Sequence, residues 1–232
     1  MKTGWPTVAS SPADHSNPPF RQWPMVDRTE WTPPEVPART HRTAVPGALG
    51  GSRLLDLPQY ADQRARLEAF AIGPGPRALE VGFDHGITLL ANARAMPDWR
   101  WLGVEIRRRR VAAVQPHVPD NCLAERLDAR ILLAGGIMDG ALHRIDILFP
   151  TPALKGRHLL WTPAFVEDLA HSLAPGGVVH VATDVPALAA LVRRLFAGWH
   201  HAPDPPPSPE RSRRDRVCRR DGIAVERLTV TP

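Results

Sequence analysis

Lysine is almost missing from this chain: of its 29 basic residues only Lys2 and Lys155 are lysines, and the remainder are arginines. Cysteine is equally sparse. Cys122 and Cys218 stand far apart, outside any CxxC or His/Cys spacing, which excludes a zinc-ribbon or disulfide framework and leaves two small buried apolar residues. No metal is expected. No apolar run approaches the ~18 residues that a bilayer span requires, so no membrane partner is expected either. The opening residues MKTGWPTVASSPADHSNPP lack the apolar segment of a secretory signal, which makes the cytoplasm the expected location.

What is present is positive charge and proline. The formal charge is +5 and the isoelectric point about 10.2. Arginine forks bind phosphate in bidentate fashion and stack on bases, which points toward an anionic partner such as RNA. A GC-rich genome produces the same arginine bias, so composition by itself leaves nucleic-acid binding open. The 26 prolines crowd into residues 6–46 and 203–209. Residues 1–50 therefore read as an irregular proline-rich arm, and 51–232 as one domain with an apolar core.

Within that domain, apolar runs of strand length alternate with helical spacing. Leu57–Phe70 reads as a lead-in helix with Pro58 in its first turn. Strands are predicted at Ala78–Gly82, Trp101–Glu105, near Cys122–Leu127, at Ile145–Phe149 and at Val178–Ala182. Helices are predicted over Thr88–Met96, Arg107–His117, Pro163–Leu173 and Pro186–Trp199, and Ile223–Val230 alternates as a closing strand. Such β-α alternation implies a doubly wound, Rossmann-like α/β sheet, mostly parallel with an antiparallel last strand. Right-handed crossovers then gather the strand C-termini along one edge, where a ligand binds.

Several residues fall on that edge. Gly82 and Gly86 form a strand-to-helix turn, with Glu80 just before them and Asp84 between them. Glu105 ends the second strand at the spacing of an acid that binds a ribose diol; the bland reading is a solvated carboxylate paired with one of Arg107–Arg110. A nicotinamide fingerprint wants a third glycine where Leu89 stands, whereas Glu80 and the Gly-Val-Glu of the second strand favour S-adenosyl-L-methionine. Asp128-Ala129 stands where an adenine would be met, although Asp at such a place more commonly caps a helix.

The segments after the fourth strand are more specific. Phe149-Pro150-Thr151-Pro152 followed by Lys155-Gly156-Arg157-His158 resembles the FPDPWxKxRH signature of bacterial tRNA (guanine-N7)-methyltransferases. Leu173-Ala174-Pro175-Gly176-Gly177 and Ala182-Thr183-Asp184 resemble that family's LxPGG…ATD segment. Ser212-Arg213-Arg214-Asp215 stands where the family has T-K-[FY]-E. The resemblance runs in order over residues 77–230.

It implies a class I methyltransferase that uses S-adenosyl-L-methionine to methylate guanosine N7 in the tRNA variable loop. By position, Glu80, Gly82, Gly86, Glu105, Asp128 and Ala129 would serve the cofactor. Lys155, Arg157, His158, Thr183, Asp184, Ser212 and Asp215 would hold the RNA and its guanine, with Thr151 and Asp184 nearest the reaction.

The chain also departs from the pattern. Thr151 replaces the signature's Asp, Ala153 its Trp, Asp84 a turn glycine and Asp215 a Glu, while Leu159-Leu160-Trp161 replaces a basic run. Two other readings follow: a methyltransferase for a different RNA or a small molecule, and a non-catalytic RNA-binding scaffold. The dense run Arg211, Arg213, Arg214, Arg216, Arg219 and Arg220 favours tRNA contact. His85 and His158 are not needed as bases, because N7 carries a lone pair and loses no proton.

Overall fold

The alternating pattern folds as a single seven-stranded sheet with helices on its faces. The computed structural model describes residues 55–152, 159–205 and 207–232; the arm over 1–50 and the motif residues Lys155, Arg157 and His158 lie outside them. A single turn at Pro58–Tyr60 leads into α1 (Ala61–Ile72), then β1 (Arg77–Val81), α2 (Ile87–Ala95), β2 (Arg100–Val104) and α3 (Arg108–Val114). β3 (Cys122–Glu125), α4 (Ala129–Ala134), β4 (Leu142–Leu148), α5 (Pro163–Ser172) and β5 (Leu173–Thr183) follow. The chain closes with α6 (Pro186–Leu195), β6 (His200–His201), α7 (Arg213–Arg220) and β7 (Glu226–Thr231).

The strand order is β3-β2-β1-β4-β5-β7-β6. β1 to β5 are parallel, and β7 runs antiparallel to β5, with Val179 opposite Val230 and Thr183 opposite Glu226. The expected fold class is the observed one. Helix starts follow local chemistry: Pro163 and Pro186 sit in first turns, and Thr162 Oγ1 caps α5 by accepting the Phe165 N–H at 3.1 Å.

One face of the sheet presents Ala78, Trp101, Cys122 and Ala124, which pack against Phe83, Leu89 and Ala93 and against Val111 and Val114 of α3. Each large apolar side chain buried in this way contributes about 1.5–3 kcal/mol, against ~0–1 kcal/mol for an exposed ion pair, so this cluster rather than the surface charge holds α2 and α3 down. α1 is tied to β3, where Glu125 accepts from Gln63 Nε2 at 2.9 Å and from Arg66 Nε at 2.6 Å.

The C-terminal ends of β1 to β5 share one edge because those strands are parallel. The two non-glycine residues with positive φ among the described residues, Asp84 (+49°) and Phe149 (+51°), both lie just past strand ends on that edge. A bulky aromatic in the left-handed region is held there at a cost, and such strain gathers at ligand-binding edges. The Phe149 N–H donates to Ala182 O at 2.7 Å, which fixes the strained residue against β5. Among the described residues no helix is long and apolar enough to cross a membrane.

Candidate functional site

The turn after β1 is built by backbone geometry. The Gly82 N–H donates to Val104 O at 2.8 Å, carrying the β1–β2 ladder one step beyond the strand. Gly82 has φ +75°, and a Cβ placed on it meets nothing within 4 Å, so the turn has an open side. At Gly86 (φ +69°) a Cβ would strike both Val114 methyl groups at 2.8 Å; glycine here lets the start of α2 pack on α3. Asp84 takes the left-handed position that a glycine would fill more cheaply.

Glu105, one residue beyond β2, is buried at 3% exposure. Its Oε1 accepts the Arg107 N–H at 2.9 Å and Arg107 Nε at 3.1 Å; Oε2 accepts the Asp84 N–H at 3.2 Å and Arg107 Nη2 at 3.0 Å. Burial pushes this carboxyl up, but the hydrogen bonds from Arg107 and Asp84 outweigh burial and hold it below its usual value. Glu105 is therefore paired with the arginine run yet is not solvated. Arg107 Nη2 also reaches Asp84 Oδ1 at 2.9 Å, and Arg110 Nε lies 3.2 Å from the same oxygen.

Asp128 caps α4, accepting the Arg130 N–H at 2.9 Å, and pairs with the Arg130 side chain. Burial opposes its ionisation, and those bonds hold it ionised below the usual range. Ala129 is buried behind it. Glu80 departs from the expected cofactor contact. As a mid-strand residue of a sheet covered on both faces, it points inward, in register with Asp146, His180 and Thr229 across β1, β4, β5 and β7. Arg144 Nε donates to Asp146 Oδ1 at 2.8 Å, while Glu80 Oε2 and Asp146 Oδ2 are buried without a hydrogen-bond partner among the described residues. Burial, then the Asp146 charge, pushes the Glu80 carboxyl well above its usual range.

On the other half of the edge, Thr183 ends β5, and its Oγ1 accepts the Val185 N–H at 3.2 Å. Asp184 is buried and receives the Arg214 fork, with Nε at 3.1 Å. Ser212 caps α7, its Oγ accepting the Asp215 N–H at 3.1 Å. The Asp215 carboxylate binds Arg211 Nη1 at 3.0 Å and Arg227 Nη2 at 3.1 Å. Arg213 Nη1 comes to 3.5 Å from His85 Nε2, so the start of α7 lies beside the glycine turn. Thr151 lies exposed after β4.

The Arg214–Asp184 bond thus ties Asp184, on the edge that carries Gly82 and Glu105, to the helix that Ser212 caps and that carries Asp215. Sequence reasoning missed α7 as a helix and the Arg214–Asp184 pair. The pattern Ser212-x-x-Asp215 is a helix-start signal and could have found the first.

Comparison with known proteins fits this edge. The family model for Methyltransf_4, described as "Putative methyltransferase", matches residues 74–201. The tRNA (guanine-N(7)-)-methyltransferase of Alkalilimnicola ehrlichii is 39% identical over 116 residues, 47% of this chain and 49% of that one. The enzyme of the same name from Methylococcus capsulatus is 36% identical over 140 residues, 56% and 61% of the two chains. The chain spans about half of the first relative's length and about three fifths of the second's. Among solved structures, the aminoglycoside resistance methyltransferase NpmB1 superposes with TM-score 0.54 at 18% identity, covering 72% of this chain and 92% of its own. The antibiotic-resistance methyltransferase Kmr gives 0.51 at 21%, with the same coverages. These two share the fold. With the family model spanning more than half its length, and the glycine turn, β2-end acid and sheet order all in place, this chain belongs to the Methyltransf_4 family of methyltransferases.

Proposed function

We propose that this protein transfers a methyl group from S-adenosyl-L-methionine to N7 of a guanosine in tRNA. The observation that carries the reading is the meeting of two half-sites on one strand edge: Arg213 lies 3.5 Å from His85, so the helix that carries Asp215 and binds Asp184 through Arg214 stands beside the turn that Glu105 anchors. The substrate follows the names of the relatives and the motifs at Phe149–Pro152 and Ala182–Asp184 that resemble the family's.

The residues fit the cofactor. Gly82 offers an open, left-handed turn, and Glu105 is a buried acid fixed by backbone donors. The Arg107 side chain is 52% exposed and can leave Glu105 to the ribose hydroxyls while both backbone N–H bonds stay. Asp128 and Ala129 flank the adenine position. When bound, the cofactor supplies an electrophilic methyl on a sulfonium.

Guanine N7 attacks with its own lone pair, so no side chain has to remove a proton, and the protein's work is orientation and charge. Asp184 and Asp215 accept hydrogen bonds from the guanine N1–H and exocyclic amine and favour the positive charge that develops on the ring. Thr183 and Ser212 hold these acids in place through their turn and cap bonds. Thr151 occupies the place of the signature acid and offers a hydroxyl there. Lys155, Arg157 and His158 extend the contact to phosphate. The base has to leave its stack to reach the edge.

The test is methyl transfer from labelled S-adenosyl-L-methionine to tRNA lacking 7-methylguanosine, read by nucleoside mass spectrometry. The expected product is 7-methylguanosine. Tight tRNA binding without transfer favours the scaffold reading, which Thr151 in place of an acid supports; transfer to another nucleoside favours an altered substrate.

A further inference from the structure

His85 stands on the glycine turn with arginines at both ring nitrogens. Arg110 Nη1 lies 2.9 Å from Nδ1, and Arg213 Nη1 lies 3.5 Å from Nε2. Guanidinium groups only donate, and a neutral imidazole has one accepting nitrogen. The shorter contact assigns that role to Nδ1. The Nε2–H then points toward another N–H donor, with Asp84 Oδ2 3.8 Å from that nitrogen.

The charge around the ring is similarly one-sided. Arg107 and Arg110 reach it from the α3 side and Arg213 from α7; Asp84 is the acid on its own turn, and Glu105 is already bound to Arg107. Burial and the three guanidiniums, against the pull of Asp84, hold His85 below its usual value and keep it neutral. An acceptor-rich anion resolves both conflicts. It takes the Arg110 and Arg213 donors and the Nε2–H together, and it lets the ring protonate. The ring and Arg110 are about one third exposed and Arg213 is exposed, so the place is reachable by a phosphate on a large ligand.

We infer that His85, Arg110 and Arg213 form a binding site for one backbone phosphate of the RNA, and that His85 takes a proton from solvent when the phosphate binds. This rests on the RNA-substrate reading for the source of the phosphate; the chemistry is that of any phosphate monoanion or dianion. In the bound state the Nδ1–H and Nε2–H both become donors, so the site holds its ligand more tightly as pH falls through the histidine range.

The experiment is a histidine-ring NMR titration of the full chain at constant ionic strength in chloride, with inorganic phosphate, and with a tRNA transcript. The His85 signal is assigned by its loss in His85→Gln. The His85 midpoint is expected to rise by about one pH unit with phosphate and with tRNA, and to stay put in chloride. Arg213→Gln, at an exposed position, is expected to abolish the rise and to reduce the salt slope of tRNA binding by about one. A midpoint that tRNA leaves unchanged, or a salt slope unaffected by Arg213→Gln, overturns the site even if tRNA is methylated. A midpoint that moves with inorganic phosphate but not with bound tRNA overturns RNA as the source. Methylation of tRNA is scored separately, so the site and the proposed function fail independently.

Discussion

The two halves of the strand edge are both built from acids and arginines, but they are held differently. On the β1–β2 half, Glu105 is fixed by two backbone N–H groups, and the Arg107 fork is added on top. On the β5–α7 half, Asp215 is held by the side chains of Arg211 and Arg227, and Asp184 receives the Arg214 fork. Backbone donors cost no side-chain ordering, whereas each arginine carries ~2 kcal/mol of rotamer entropy. The first half is therefore preformed, as suits an invariant cofactor. The second can rearrange its forks, as the proposed RNA substrate, whose base must leave its stack, would require.

That contrast can be broken by single substitutions. On the proposed function, Asp184→Asn removes a charge beside the guanine and is expected to slow methyl transfer by ~100-fold. Its stability cost should stay within ~1 kcal/mol, because the Arg214 side chain is 39% exposed and stays hydrated. Single-turnover rates at saturating cofactor check this; an unchanged rate would remove Asp184 from the reaction. Glu105→Gln, which loses charge-assisted bonds, is expected to weaken cofactor binding about 10- to 30-fold.

Glu80 sharpens the comparison from beneath. It is an acid whose folded value is raised, so the native state holds a proton that the unfolded chain releases above the ordinary glutamate range. Stability is then unaffected below that range and falls as pH rises through the window up to the folded value, by about 1 kcal/mol per pH unit. Glu80→Gln has no proton to lose and should flatten the alkaline fall, while matching the parent in acid. Denaturant unfolding at several pH values reads this directly; parallel profiles would mean that Glu80 is ionised in the fold. The smallest effect is at Asp128. Asp128→Ala should cost about 1 kcal/mol as a lost cap, and Asp128→Asn nearly nothing. A cofactor affinity that falls in both would give Asp128 an adenine role as well.

Much of this architecture is legible in sequence because strong periodicity marks it. β1, β2, β4 and most of the long helices lie within a few residues of their expected places, and the glycine turn and Glu105 follow from strand-end spacing. The misses have physical causes. α7 reads RRDRVCRR, with Cys218 as its one buried residue, so no apolar stripe announces it. α4 has six residues and β6 two, too short for a period to show. β5 begins at Leu173, through pairing with Leu142, and bulges over Ala174–Gly177, where Gly176 takes φ +75°, before pairing resumes at Val178; the sequence pattern predicts a helix through Leu173 and a strand from Val178. The helix expected to reach Trp199 stops at Leu195. An acid beside a glycine turn reads as a ligand contact, whereas strand parity sends the Glu80 side chain into a covered face of the sheet. The Arg214–Asp184 and Arg213–His85 contacts join residues 30 and 128 apart, and no local pattern encodes them.

The most direct test of the divided edge is calorimetric binding of S-adenosyl-L-methionine to the parent chain, Glu105→Gln and Asp184→Asn under one set of conditions. The account predicts that affinity drops at least 10-fold in Glu105→Gln and is unchanged in Asp184→Asn. Equal losses in both variants, or a loss confined to Asp184→Asn, would contradict the assignment of the β1–β2 half to the cofactor and the β5–α7 half to the guanine.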